Sequence, residues 1–316
     1  RKTKDILFDT PLPYETGFKS VLTNLAEVQN SGFELSATYQ KRLKDFHFSI
    51  GGNMSHIQNK VNAIDPGMTG ETDRHISGNK ITTRNKPMNS YYMLKWTGKI
   101  YQTQEEVDAF YEMFYWNADH TGPKAGNILP APSETNLERL RPGARRYVDL
   151  DGDGAITNKD IYYAGETSPR LTFGFKAGLE WKGIDVSAFF QGVGKQVILR
   201  GGSVYAPFVV NYVRQNYTFM GKTWAPDHTN AEYPILSRNQ NFNKFNYNNI
   251  DASVQKNRYI RLKSLVVGYS LPKQWIAKAG LNKLRVYFSG DDLWEWTKIK
   301  DGYDLSLIHI SEPTRL

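Results

Sequence analysis

One loop carries most of the chemistry legible in this chain. It reads Asp149-Leu150-Asp151-Gly152-Asp153-Gly154-Ala155-Ile156-Thr157-Asn158-Lys159-Asp160. A hard cation such as Ca²⁺ takes about six to eight oxygen ligands, which a twelve-residue loop supplies from positions 1, 3, 5, 7, 9 and 12, with glycine at 6 for the sharp turn. Those positions hold Asp149, Asp151, Asp153, the Ala155 carbonyl, Thr157 and Asp160, and Gly154 is sixth. Ile156 would anchor the loop by its apolar side chain. The departure is Asp160, where a regulatory loop has Glu; the shorter side chain reaches less easily for a bidentate contact. With no helix pair flanking it, the loop is expected to be a structural staple rather than a switch. The alternative is an Asp-Gly turn whose carboxylates face water.

Other chemistries find no support. The chain has no cysteine, which excludes disulfides, thiolate-held zinc and thiol nucleophiles. There is no His-Glu-x-x-His pair, no Walker-type glycine loop and no Gly-x-Ser-x-Gly elbow. His47, His56, His75, His120 and His228 are scattered. Asp291-Asp292 and Glu105-Glu106 are paired carboxylates, but nothing in the sequence sets them across a cleft. Arg141, Arg145 and Arg146 form a small basic cluster without the long stripe that a nucleic acid needs, and the net charge of +8 adds no pattern. No enzymatic activity and no nucleic-acid partner are expected.

The elements that must position the acidic loop are strands. The 316 residues are 13% aromatic, which argues against disorder, and no apolar run is long enough for a transmembrane helix. The dominant period is two. Phe33, Leu35, Ala37 and Tyr39 alternate with Glu34, Ser36, Thr38 and Gln40; a turn over Lys41–Asp45 leads to Phe46, Phe48 and Ile50. Leu171–Trp181 alternates over eleven residues, close to the ~9–11 that cross a membrane as a tilted strand. Lys182-Gly183 then turns into Val186–Gln191, and Ser264–Leu271 and Leu284–Ser289 repeat the design. The connections are unequal. Short turns fall on one side; Val61–Pro169 and Gly194–Asn257 are long and polar on the other, which is the layout of a membrane barrel. Two short helices are expected: one behind the capping box Thr103-Gln104-Glu105-Glu106 over Val107–Trp116, and one from Pro272 to Ala279, stopped by Gly280. The Asn-rich run Asn239–Asn249 reads as loop. Of Tyr91, Tyr92, Trp96, Tyr162, Tyr163, Trp181, Trp294 and Trp296, Trp181 is the best candidate for an interfacial girdle.

An ordered set of segments then carries a family resemblance. It includes Asn30-Ser31-Gly32-Phe33-Glu34-Leu35, Lys95-Trp96-Thr97-Gly98-Lys99-Ile100-Tyr101-Gln102 ahead of the Thr103 helix, and Pro142-Gly143 followed by Tyr147–Gly154 and Asp160. It continues through Phe173-Gly174-Phe175, Gly183-Ile184-Asp185, Phe190-Gln191-Gly192, Trp224-Ala225-Pro226 with Ala231–Pro234, Tyr259–Lys263 with Gly268–Pro272, and Leu284–Gly290 with Asp292-Leu293. Over residues 3–304 the chain resembles the C-terminal part of a SusC/RagA-type TonB-dependent outer-membrane transporter of Bacteroidota. Ser31 and Asp291 are small departures from the family pattern.

The resemblance implies an all-β fold, the C-terminal portion of a 22-stranded antiparallel barrel with long extracellular loops, located in the cell outer membrane. Residues 1–304 would supply about seven strands, with the final strand missing; residues 305–316 resemble a translated sequencing adapter. It implies TonB-dependent import of a glycan or another nutrient. The implied partners are a SusD-like surface lipoprotein, the TonB-ExbB-ExbD system through an N-terminal region absent from this sequence, and outer-membrane lipids. Trp96, Tyr101, Tyr205 and Trp224 are loop aromatics that could stack on a ligand, and Asn241, Asn243 and Asn246 could hydrogen-bond one; loop packing is the simpler role for each. The rival is a soluble or secreted calcium-dependent β-rich carbohydrate-binding module.

Overall fold

In the computed structural model, residues 1–11, 14–18, 20–64, 74–200 and 219–299 are described. Tyr205 and residues 305–316 lie outside them, and with them the expectations placed on the C-terminal tail. The main element is a seven-stranded, wholly antiparallel sheet. Its strands are β1 (Lys2–Pro11), β2 (Ser20–Leu43), β3 (Phe46–Ile64), β10 (Leu171–Trp181), β11 (Ile184–Lys195), β14 (Tyr259–Ser270) and β15 (Arg285–Thr297), hydrogen-bonded in that order. Each neighbour in the sheet is the next of these strands in sequence, so no connection crosses another. Among the described residues the sheet is open, with β1 and β15 at its edges; no closed barrel is present.

Several strands outrun the alternating patterns. β2 extends twelve residues beyond the apolar alternation, from Ser31 back to Ser20. There the pattern is interrupted by a register shift between Glu27 and Val28, and a separate small core of Ala26, Val28, Val61 and Ile64 takes over. The environment changes along the strand, so the period-two signal ends before the strand does. The expected five-residue turn at 41–45 is a two-residue one: Leu43 pairs with Phe46, and Lys44 takes φ +49°. Lys182-Gly183 is a two-residue turn as expected, with φ of +43° and +89°. Positive φ at both positions is the type I′ hairpin geometry that follows the twist of the flanking strands.

The long connections fold. The first contains a four-stranded sheet of β4 (Arg74–Ser77), β5 (Lys80–Thr83), β6 (Ser90–Leu94) and β9 (Ile161–Gly165). It also holds the pair β7 (Trp96–Ile100) and β8 (Arg145–Tyr147), and helix α1 (Gln104–Phe114). The Thr103 hydroxyl caps α1 at the Glu106 N–H, but Glu106 reaches the N–H of Gln102 (2.8 Å) rather than that of Thr103. In the second connection, β12 (Val197–Leu199) pairs with β13 (Val254–Lys256). The Asn-rich run read as loop is helical: α2 (Gln240–Asn243) passes into a π-helical turn, Lys244–Asn248. Its asparagines satisfy the backbone, and Phe242 and Tyr247 are buried, which a count of polar residues does not reveal. The last helix, α3 (Lys273–Ile276), follows Pro272 and runs through a 3₁₀ turn to Gly280 at φ +71°.

A Cβ on Gly183 would lie 2.6 Å from the Ser270 carbonyl oxygen. Gly183→Val is therefore expected to lose about 2–4 kcal/mol through the left-handed backbone and the clash. The folded fraction in detergent, read by heat-modifiable electrophoretic migration, should fall accordingly; an unchanged fraction would contradict this turn geometry.

Candidate functional site

The register gives the sheet two chemically distinct faces. Tyr39, Ile50, Ala177, Ala188, Leu265 and Gly290 follow one another across the strands, as do Phe46, Trp181, Ile184, Tyr269 and Val286. Phe33, Leu35, Phe175, Val267 and Phe288 extend this apolar face. Its large side chains are uncovered: Phe33 is 55% exposed, Phe288 59% and Trp294 52%. A half-exposed aromatic leaves roughly 100 Å² open. Tyr39, Trp181 and Trp296 are about equally open, so these rings alone match the ~300–600 Å² that bounds the largest patch of a soluble monomer. Of the girdle candidates, Trp181, Trp294 and Trp296 lie exposed on this sheet, whereas Tyr91 and Tyr92 are buried in the loop sheet. Trp96, Tyr162 and Tyr163 are half-buried there.

The opposite face is polar. Ser36, Thr38, Gln40, Ser49, Asn53 and Lys176 line a shallow recess of about 300 Å³, with Phe189 as its one aromatic. Further along, Asp185 pairs with Arg285 (2.5 Å), and Arg261 bridges Glu295 (2.7 Å) and Asp292 (3.4 Å). Fixed charges on one face and apolar rings on the other are what a wall between hydrocarbon and water requires.

On the long-connection side, segments far apart in sequence share one core. Leu94, Tyr101, Val107, Phe110, Tyr111, Tyr115, Leu140, Tyr147 and Ile156 of the first connection pack with Phe242 and Ile250 of the second. Asp251 ties them further: one carboxylate oxygen accepts the Trp96 N–H (2.9 Å) and the other the Tyr162 hydroxyl (2.8 Å). Asn246 accepts the Arg145 N–H at 2.8 Å. The buried Arg145 guanidinium stacks over Trp96, 4.5 Å from the ring centroid, and Tyr247, at 5.8 Å. Cation–π attraction in such a desolvated setting is worth about 2 kcal/mol and offsets part of the burial cost. Burial pushes the Tyr101 and Tyr147 hydroxyls well above the usual tyrosine range, so both stay protonated. Asp251 belongs to no motif, and no sequence signal marks it.

Most of the ligand candidates are engaged within this unit. Tyr101 is fully buried with its ring on Phe110. Trp224 is buried, and its indole N–H donates to Gln102 Oε1 (3.0 Å). Asn243 and Asn246 are buried and donate to the Ser237 and Phe242 carbonyls. None of these four presents a free face for a ligand; they are packing residues. Trp96 is half-buried and donates to the Lys99 carbonyl (2.8 Å). Asn241 is exposed and bonds Glu138 at 2.5 Å.

The acidic loop is compact. Carboxylate oxygens of Asp149, Asp151 and Asp153 lie within 4.8 Å of one another. Oxygens that each sit 2.3–2.6 Å from one ion are at most ~5 Å apart, so these three fit a shared hard cation. Asp149 accepts the N–H groups of Gly152 and Gly154, which bends the loop back over it. Two others of the expected ligand set, Asp160 and Thr157, make hydrogen bonds within the loop. Asp160 is fully buried and closes the loop itself, accepting N–H groups from Leu150 (2.6 Å) and Thr157 (2.7 Å). The Thr157 hydroxyl accepts the Lys159 N–H (3.1 Å), and Ala155 donates its N–H to Asp153 (3.0 Å). Lys159 sets its ammonium 3.3 Å from Asp153 and 3.8 Å from Asp151. The Ala155 N–H, with help from Lys159, holds the Asp153 carboxyl below the usual aspartate range, and Lys159 is raised in turn. Lys124 ties the loop to α1 by donating to the Gly154 and Met113 carbonyls, both at 2.6 Å.

No protein-family model matches the chain. It is 28% identical over 302 residues to TonB-dependent receptor P3 of Formosa agariphila, covering 94% of this chain and 27% of that protein. TonB-dependent receptor SusC of Bacteroides thetaiotaomicron is 21% identical over 278 residues, covering 87% of this chain and 24% of SusC. Among solved structures, the RagAB peptide transporter superposes with a TM-score of 0.64 at 18% identity, over 95% of this chain and 29% of that one. The chain thus spans about a quarter of the length of the curated relatives. The sequence likenesses are to TonB-dependent receptors, the fold is that of the RagAB structure, and a fragment of a SusC/RagA-type receptor fits both.

Asp251→Ala removes both ties of the second connection to Trp96 and Tyr162. Expected is a loss of about 1–3 kcal/mol from the stability of the loop unit. Amide exchange should then speed up around residues 95–100 and 161–163 while β10 and β11 stay protected. Unchanged exchange at those positions would show that the hydrophobic core alone joins the connections.

Proposed function

We propose that this chain is part of the wall and outer loops of a TonB-dependent importer in the outer membrane. The two-faced sheet carries the reading. Strands of about eleven alternating residues rise ~3.3 Å per residue, which at a tilt of ~40° spans ~28 Å, close to the ~25 Å apolar band of a membrane barrel. The apolar rings would meet lipid, and the polar face with its ion pairs would line the passage. In the whole receptor the sheet would close into a 22-stranded barrel, since a barrel leaves no edge unpaired in hydrocarbon. A soluble carbohydrate-binding module does not account for so large an uncovered apolar face.

The cargo would be a glycan, a peptide or another nutrient, captured with a SusD-like surface lipoprotein over the long loops and released inward by TonB-ExbB-ExbD. Binding and movement, not bond chemistry, would do the work. The knitted loop unit would serve as a preformed platform for the lid. Among the described candidates, Tyr101, Trp224, Asn243 and Asn246 would act by packing, while Trp96 and Asn241 lie nearer solvent.

The acidic loop would hold Ca²⁺ on Asp149, Asp151 and Asp153, with Lys159 displaced outward. Bound Ca²⁺ would add charge neutralisation and stiffness to the loop and no step of transport.

Cell fractionation tests the main reading. The receptor carrying this segment should be recovered in the outer-membrane fraction as a heat-modifiable band, and recovery as soluble protein would refute it. Calorimetric titration tests the loop: Ca²⁺ should bind the intact receptor, and Asp151→Asn with Asp153→Asn should weaken binding at least ~10-fold, as expected when two charged oxygen ligands are lost. Because the Asp153 pKa is depressed, its contribution is complete at neutral pH and is lost as pH falls through that lowered value. Absence of binding by the unaltered protein would leave Lys159 as the sole counter-charge of the loop.

A further inference from the structure

We propose that the short-turn edge of the sheet is a docking surface for the headgroups of anionic phospholipids. The inference rests on the apolar face meeting hydrocarbon, and it adds a charge preference that this reading does not contain.

Three turns lie side by side along this edge. Trp181 pairs with Phe46, Ile184 pairs with Tyr269, and the Ser270 N–H donates to the Gly183 carbonyl at 2.7 Å. The turn at Lys44, the turn at Lys182 and the α3 connection are therefore consecutive. Each presents lysine to solvent. Lys41, Lys44, Lys182, Lys273 and Lys278 are exposed, and none makes an ion pair among the described residues. Of the acidic groups nearby, Asp185 pairs with Arg285 on the polar face, while Glu180, 3.5 Å from His47, and Asp45 are exposed, so the five lysines outnumber the two open acids.

The placement of these cations sets the depth of the partner. Lys41 falls on the apolar face, in step with Tyr39 and opposite Phe48. Its methylene stem can lie along the apolar surface while the ammonium reaches the edge, the snorkelling geometry of a lysine at a membrane boundary. Trp275 is 65% exposed on α3 while its neighbour Ile276 is buried, so the indole is turned outward by the packing of the helix. The Lys182 ammonium sits 5.5 Å from the centroid of the exposed Trp181 ring. Indoles and ammonium groups gathered along one edge of the sheet, next to its apolar face, match a layer of acyl chains capped by phosphate groups. Free phosphate would find the same lysines but would have no use for Trp275 or for the stem of Lys41.

The test uses the intact receptor carrying this segment in vesicles of phosphatidylcholine and phosphatidylglycerol, with bromine on the acyl chains of one lipid or the other. The fluorescence lost in Trp275→Phe isolates the reporter. Brominated phosphatidylglycerol is expected to quench Trp275 about 2-fold more than brominated phosphatidylcholine at equal mole fraction. The preference should vanish in Lys182→Gln/Lys273→Gln/Lys278→Gln and survive when the same three lysines become arginine. Equal quenching by both lipids, or a preference that persists in the glutamine variant, overturns the proposal while leaving the membrane reading intact. No quenching by either lipid overturns both.

Discussion

Everything in this structure follows from where backbone N–H and C=O groups can find partners. In hydrocarbon each unpaired group costs several kcal/mol, so a strand that crosses a membrane must be bonded on both sides along its length. The sheet meets that demand in its interior: β10 is paired residue by residue with β3 and β11, from Leu171 to Trp181. The same ladder then dictates the side chains. Once pairing fixes the pleat, alternate residues must face opposite solvents, and the sequence supplies rings and aliphatics to one and hydroxyls, amides and ion pairs to the other.

Beyond the alternating stretch of the sheet a different rule begins. β2 and β3 continue past Phe33 and His56, but their side chains lose the alternation, and Ala26, Val28, Val61 and Ile64 gather into a conventional core. Further out, the long connections can no longer rely on the sheet for order. They order themselves by burying aromatics from both connections together, with Asp251 and Asn246 satisfying backbone donors at the seam. The molecule thus has two kinds of order: a ladder whose apolar face is left uncovered and a loop unit with an interior of its own.

That division explains what could be read from the residues alone. The eleven-residue strand β10 and the Lys182-Gly183 turn were legible, because the two sides of that strand carry unlike side chains and its pairing runs unbroken from Leu171 to Trp181. The upper half of β2 was not, since only Ala26 and Val28 mark its buried side and a register shift interrupts the pairing there. The Asn-rich helix was hidden for a related reason: its asparagines look solvated but bond the backbone, and only Phe242 and Tyr247 betray its buried side. In the acidic loop, spacing located Asp149, Asp151 and Asp153 correctly as a cluster. It could not reveal that Asp160 turns inward to close the loop or that Lys159 leans over the carboxylates, because both depend on hydrogen bonds set by the fold. Tyr101 and Trp224 invited a binding role by residue type alone; Tyr101 is buried in the shared core, and Trp224 is buried against Gly143 with its indole on Gln102.

The central claim is that the apolar face of the sheet meets lipid and the other face meets water, and the absence of cysteine allows a direct test. Single cysteines placed in turn from Thr172 to Glu180 in the intact receptor would each be the one thiol of this segment. Labelling with a membrane-impermeant, water-soluble maleimide should alternate with period two: rapid at 172, 174, 176, 178 and 180, and slow at 173, 175, 177 and 179, where a lipid-soluble reagent should react instead. Uniform aqueous labelling along the strand, or the alternation in the opposite phase, would contradict the account.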